Sequence, residues 1–329
     1  MARAPTPPLP ARDGVSPSCV AVPAAHWPTV LDFLAERLPA LTVDEWQARL
    51  LAGEVLDAHG QPVTPGLPCH AGQRLFYYRG WPDEPPAPVA EHLVFQDDWL
   101  VVADKPHFMP VTPSGRFVRR SLLVRLKQQL GIDTLSPIHR IDRDTAGLVV
   151  FTVQPHTRDA YQALFRRRRV DKLYEAVAAH RPALSFPHTH RSRLEPDPQR
   201  FFISREVPGE PNSETTIERA APLGAHALYR LRPLTGQRHQ LRLHMHALGL
   251  PILGDAFYPM VRHAAGQADD SARPLQLLAR ALAFDDPVTG QPRRFESSLH
   301  LAAAQGRWPL PEAVADYTAP ERTAPPQAA

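Results

Sequence analysis

The chain has 329 residues, 43% hydrophobic and 22% charged, with a net charge of +3 at neutral pH. This composition excludes a disordered or fibrous protein, and no apolar run approaches the roughly 18 residues that a membrane-spanning helix requires. Only Cys19 and Cys69 are present, outside any metal-ligand spacing, which argues against a disulfide scaffold or a cysteine zinc site. The Pro-rich start, Met1–Pro10, carries no apolar signal core, so the expected compartment is the cytoplasm of a bacterium.

Residues 1–25 are Pro/Ala-rich and are expected to be disordered. A small module over 26–80 follows. Val30, Phe33, Leu34 and Leu38 share a helical face, and Thr42 with Glu45 forms a capping-box pattern before a second helix carrying Trp46 and Leu50 and closed by Gly53. Glu54–Leu56 and Gln73–Tyr78 read as short strands around a His59-Gly60 turn. Pro82, Pro85, Pro86 and Pro88 make a stiff linker over 81–90, the expected domain boundary. Strands are predicted at Leu93–Phe95, Leu100–Ala103, Gly147–Thr152, Lys172–Ala178, Tyr229–Leu231, Leu277–Phe284 and Arg293–Glu296, with helices at Ser121–Leu130 and Thr157–Arg169. The tail, 311–329, is expected to be loose. Many short strands with few helices between them predict an α+β fold with a mixed, largely antiparallel sheet over 91–310.

Charge is unevenly spread. Arg116 to Arg169 holds 12 Lys/Arg against 4 Asp/Glu, whereas His26 to Ala90 holds 4 Arg against 8 acids. A basic middle is what a polyanion-binding surface requires, although a solvated Arg-rich helix face would look the same. Two polar clusters stand out: His139-Arg140-Ile141-Asp142-Arg143-Asp144-Thr145 before an apolar strand, and Thr235-Gly236-Gln237-Arg238-His239-Gln240-Leu241-Arg242-Leu243-His244. Such groups beside buried segments are costly unless paired or used. His188-x-His190 and His239/His244/His246 have partial metal spacing, but no carboxylate or cysteine follows as a third ligand, so no metal is expected.

The first cluster resembles the H-R-[LI]-D-x-x-T-x-G-L signature of the pseudouridine synthases of the RluA type. Val101–Pro106 is similar to the family's preceding strand, with Asp104 where Asn is common. Lys172-Leu173-Tyr174-Glu175-Ala176 resembles its K-x-Y-x-A strand. Thr235–His244 resembles its T-G-R-x-H-Q-[IL]-R-x-H segment, with Gln237 replacing Arg. Leu248–Asp255 and Ala279–Gly290 match later blocks. The resemblance covers roughly residues 91–300 in family order.

It implies the pseudouridine synthase fold with a catalytic cleft, and an RNA isomerase acting on large-subunit ribosomal RNA or transfer RNA. No cofactor, no membrane and a monomer are expected. By resemblance Asp142 is the catalytic aspartate, either nucleophile at the ribose or base at its 2′ position. Arg242 pairs with it, and Tyr174 stacks on the uracil. Arg140 fills the space left by a flipped nucleotide. His139, Thr145, Arg238, His239 and Gln240 are expected to help hold substrate, with His139 bonding its loop rather than acting as a base. Residues 26–80 resemble the alpha-L type RNA-binding module often fused to these enzymes, though their acidic balance opposes phosphate binding. Two other readings fit parts of the sequence: a non-catalytic RNA-binding protein on the same fold, and a metal-dependent phosphodiesterase using Asp142, Asp144 and the histidines.

Overall fold

The computed structural model describes residues 9–24, 26–79, 84, 89–115, 117–262 and 267–309. Trp81, the four linker prolines and the tail from 310 onward lie outside the described residues. The chain divides into two compact units, the first drawn from 1–84, 114–119 and 124–133 and the second from 85–113, 120–123 and 134–329.

In the first unit, β1 (Ser18–Ala21), β2 (Val55–Leu56) and β3 (Arg74–Tyr77) form a sheet in the order β1-β3-β2. Helices α1 (Val30–Arg37) and α2 (Val43–Leu51) pack Phe33, Leu34, Trp46 and Leu50 with Val55 and Leu75 into one core. Both helices open on reciprocal capping boxes, Thr29 with Asp32 and Thr42 with Glu45, which satisfy backbone N–H groups that a helix start leaves unpaired. Two expectations change here. The leader expected to be disordered supplies β1, whose four residues pair with β3. Residues 124–133, expected in the large domain, belong to the first unit, where Val124 packs on Val15 and Val118 and Gln128 donates to the Asp13 carbonyl.

The second unit is built on β4 (His92–Gln96), β5 (Leu100–Lys105), β6 (Ser136–Pro137), β7 (Ala146–Thr152), β8 (Asp171–Ala179), β9 (His188–Pro196), β10 (Ser204–Val207), β11 (Ser213–Leu223), β12 (His226–Pro233), β13 (Leu277–Asp285) and β14 (Pro292–Glu296). Helix α3 (Leu122–Leu130) falls mostly in the first unit, from Val124 on; in the second, α4 (Arg158–Arg166) lies between β7 and β8, and α5 (Gln240–Ala247) follows β12. The sheet runs β10-β9-β11-β12-β8-β13-β7-β5-β4, with β14 beside β13 and β6 beside β7. The fold is α+β, and every strand pair in this sheet is antiparallel except β7 with β13.

That parallel junction fixes the site. Leu278 pairs with Ala146 and Ala279 with Gly147, while Ala279 also faces Tyr174 on β8. Gly147 sits at φ 109°, and a Cβ there would lie 2.4 Å from the Ala279 carbonyl oxygen. Only glycine permits this approach, so the strand after Asp142 can lie against the strand facing Tyr174.

Candidate functional site

The turn carrying Asp142 is held by its backbone. The Thr145 N–H donates to the Asp142 carbonyl at 3.2 Å. From the end of β5 the buried Lys105 Nζ donates to the Pro106 carbonyl at 2.8 Å and the Arg143 carbonyl at 3.0 Å. The His107 ring nitrogen Nδ1 lies 2.6 Å from the Asp144 carbonyl oxygen, which can only accept, so Nδ1 carries the proton. Burial pushes Lys105 down to about 7 and His107 down to about 4. These two side chains were not singled out from the sequence, and only their place in the matched Val101–Pro106 strand and just after it hinted at them.

The clamped turn leaves the Asp142 side chain 29% exposed. Desolvation raises its pKa above the ordinary carboxylate value; Arg242 pulls it down, Asp255 pushes it up, and Lys105 and Arg238 pull it down further. Tyr174 is half-buried on β8, its hydroxyl held well above its usual range by burial and then by Asp142.

Arg242 lies within ion-pair distance of Asp142 but is bonded elsewhere. Its side chain is 1% exposed, but its bonded partner is Asp255: Nε donates to Oδ2 at 2.8 Å and Nη2 to Oδ1 at 2.5 Å. Asp142 Oδ2 lies 3.9 Å from Nη1, and Asp144 Oδ2 is equally far. These are Coulombic distances, not hydrogen bonds. Sequence reading included Asp255 in a matched block without a role, because nothing local shows that residues 242 and 255 share a fork. Arg143 in turn binds Asp269 through both terminal nitrogens, at 2.8 and 2.6 Å, and reaches Asp144 at 3.1 Å.

The other expected residues separate into two groups. Arg140 and Arg238 are exposed, Arg238 donating to the Phe201 carbonyl at 2.7 Å. Thr145 is buried in the turn. His139 faces away from this chemistry: its Nε2 accepts the Val150 N–H at 3.1 Å, its ring stacks on Phe165, and burial lowers its pKa to about 3. His239, at φ 57° before α5, meets the Tyr258 hydroxyl at 3.0 Å and stacks on Phe257. Gln240 is occupied completely. Its oxygen accepts from the Thr235 hydroxyl and the Gln237 N–H, and its amide donates to the Glu214 carbonyl and the Thr215 hydroxyl. Gln240 therefore shapes the loop and has no donor left for a ligand.

His190, Glu206 and His244 bring one potential ligand atom each within 4.8 Å of one another. The carboxylate that the sequence lacked comes from β10, which no spacing reveals. His244 is already engaged at both nitrogens, by Thr215 at 2.9 Å and by Ser213 and Ser192 at 3.0 and 3.1 Å. A hydrogen-bonded polar cluster accounts for it.

Comparison with known proteins bears on this arrangement. Residues 99–247 match a family model described as RNA pseudouridylate synthase. An uncharacterized RNA pseudouridine synthase of Synechocystis sp. is 32% identical over 233 residues, 70% of this chain and 79% of that protein. The dual-specificity RNA pseudouridine synthase RluA of Pasteurella multocida is 32% identical over 62% of this chain and 91% of its own length. The chain spans about a third of the mouse and human pseudouridylate synthases RPUSD2, 32% and 33% respectively. Among solved structures, human RNA pseudouridylate synthase domain containing 4 superposes with a TM-score of 0.51 at 24% identity, covering 66% of this chain and 91% of that one.

Proposed function

The chain belongs to the RNA pseudouridine synthase family, of the RluA type, and from that premise we propose that Asp142 starts the isomerisation of particular uridines in structured RNA. The single observation that carries this reading is the treatment of Asp142. Its backbone is pinned, while its carboxylate is left partly open and faces a buried cation that does not bond it.

The reaction breaks the N-glycosidic bond, turns the uracil and joins its carbon 5 to the ribose. Atoms and electrons are conserved, so the chemistry requires no redox partner. An ionised Asp142 either attacks the ribose or takes its 2′-side proton; Arg242, Lys105 and Arg238 supply the positive field that opposes the desolvation raising its pKa. Tyr174, neutral because its hydroxyl pKa is raised, offers a ring on which the uracil stacks, worth about 1–3 kcal/mol. Its neutral hydroxyl can relay the carbon-5 proton only by passing its own proton on as it accepts the new one. Arg140, exposed at the head of the turn, suits the gap left by a flipped nucleotide, since a planar cation stacks among bases.

The relatives suggest the substrate. Besides the dual-specificity enzyme, a mitochondrial yeast relative is named for transfer RNA position 32. The proposed substrates are transfer RNA and large-subunit ribosomal RNA, modified in the cytoplasm by a monomer.

The test is pseudouridine mapping of both RNAs after incubation with wild type and Asp142→Asn, with and without a chelator. Wild type should modify discrete uridines equally in either condition. Asp142→Asn should lose activity by about a thousandfold or more while still binding RNA, because phosphate contacts supply most affinity. Because Asp142 is desolvated, the variant should melt no lower than wild type. Retained turnover in a clean Asp142→Asn preparation would overturn the assignment, and loss of activity with chelator would favour a metal-dependent reaction.

A further inference from the structure

We infer that Asp255 is a positioning residue of this site: it takes the inner edge of Arg242 and thereby places the remaining nitrogen near Asp142 without bonding it. The inference rests on the reading of Asp142 as the reactive group and explains how the fold keeps that group usable.

A guanidinium is planar, so fixing one edge fixes the third nitrogen. Asp255 binds the Nε–Nη2 edge in the bidentate manner that gives such pairs their geometric specificity. Its own orientation is set by the loop that follows. Oδ1 also accepts the Phe257 N–H at 2.8 Å and the Tyr258 N–H at 3.1 Å. The rings of these same two residues lie 4.8 and 5.5 Å from the guanidinium carbon. One short loop thus fixes both the edge and the plane of Arg242. Gly254 makes the loop's entry possible, since a Cβ there would come within 2.3 Å of the Pro274 carbonyl oxygen.

The result is visible at Nη1. It is buried and has no hydrogen-bond partner among the described residues. It stands 3.9 Å from both Asp142 and Asp144. With the opposite edge held by Asp255, Nη1 does not close to bonding distance of either carboxylate. A carboxylate bonded along a guanidinium edge would have its lone pairs committed. At 3.9 Å Asp142 receives the charge and keeps them. The groups facing Asp142 are Arg242 from α5, Asp255 and Arg238 from the flanking loops, Lys105 from β5 and Tyr174 from β8. Asp144 shares the same Nη1. Among them, Asp255 is the one that both holds the cation and offsets its charge.

The experiment is a single-turnover pH–rate profile on saturating RNA for wild type, Asp255→Asn, Asp255→Glu and Asp142→Asn, with RNA affinity and thermal melting measured in parallel. Asparagine keeps one acceptor but turns an amide N–H₂ toward the fork, so Arg242 is released toward Asp142. The expected rate at neutral pH falls about ten- to a hundredfold, as for other misplacements on this scale, with RNA affinity kept. The acid limb moves down by about half a pH unit or more, because the whole charge of Arg242 now acts on Asp142. Asp255→Glu keeps the charge and recovers part of the rate. A rate loss that only tracks the unfolded fraction, with the acid limb unmoved, would overturn the inference and leave Asp255 as a structural anchor. If Asp255→Asn does not fold, Asp255→Glu decides: its longer carboxylate pushes the fork toward Asp142, and an unmoved acid limb again overturns it. Activity surviving in Asp142→Asn would instead sink the underlying reading, whatever Asp255 does.

Discussion

Residues 139–147 and 235–244 are both dense in polar groups, yet the fold uses them in opposite ways. In the first, the clamps act on main-chain carbonyls, through Lys105 and His107, and the Asp142 side chain stays partly open. In the second, the side chains are spent on neighbours: Gln240 makes four hydrogen bonds, His244 is engaged at both nitrogens, and Arg242 is locked to Asp255. The difference separates reactivity from support. On the proposed reading, Asp142, which would meet substrate, is held by its backbone, whereas Gln240, Arg242 and His244 are held by their side chains.

The comparison breaks most sharply at Arg242. Arg242→Met removes the cation from among Asp142, Asp144 and Asp255, leaving the buried Asp255 without its bonded cation. A destabilisation of about 3–5 kcal/mol is expected, together with loss of pseudouridine formation in the folded fraction. Denaturant unfolding with activity per folded molecule checks both. A variant that melts like wild type would show that the carboxylates do not depend on Arg242.

A smaller effect is expected for Gln240→Leu, which removes the acceptor of the Thr235 hydroxyl and the Gln237 N–H and one donor each from the Glu214 carbonyl and the Thr215 hydroxyl. Stability should fall by about 1–3 kcal/mol while the rate per folded molecule changes little, since this side chain has no free donor for RNA. A rate loss well beyond the loss of folded protein would return Gln240 to the substrate site.

The smallest effect sharpens what the two segments share. Neutral histidines stand in or beside both, His139 in the first, His107 next to it, and His239 and His244 in the second: burial lowers His107 to about 4 and the other three to about 3. A folded-state value below the unfolded one means that the stability is present above about pH 6.5 and is lost as pH falls toward the folded values. The melting temperature should therefore decline between about pH 7 and about pH 5. A flat profile would mean that these rings can be protonated in place.

How much was legible in sequence follows the reach of each interaction. The Thr42–Glu45 box was readable because both partners lie within one turn. Asp142 and Tyr174 could be proposed from the sequence because a linear signature carries them. The β9, β10 and β11 strands were not: His188–Pro196 is polar on both faces, so no alternation marks it. Helix α5 escaped notice for the opposite reason. Gln240 to Met245 are all buried, so polar Gln, Arg and His fill positions where an amphipathic pattern would place apolar residues. Strand β1 hides in a Pro-rich leader because its partner β3 lies far along the chain. The Arg242–Asp255 fork, made by tertiary packing, needed the fold itself.

The place of β13 in the sheet also bears on how the enzyme comes into being. This late strand lies between β8, which carries Tyr174, and β7, which follows Asp142. A nascent chain ending before Leu277 contains all the residues of the site but lacks the strand that seats its two halves side by side. Pairing across so much sequence must first meet the entropy of closing a long loop, and it is slow for that reason. Assembly of the site therefore waits on β13, and a chain that ends before Leu277 lacks the strand that joins its two halves.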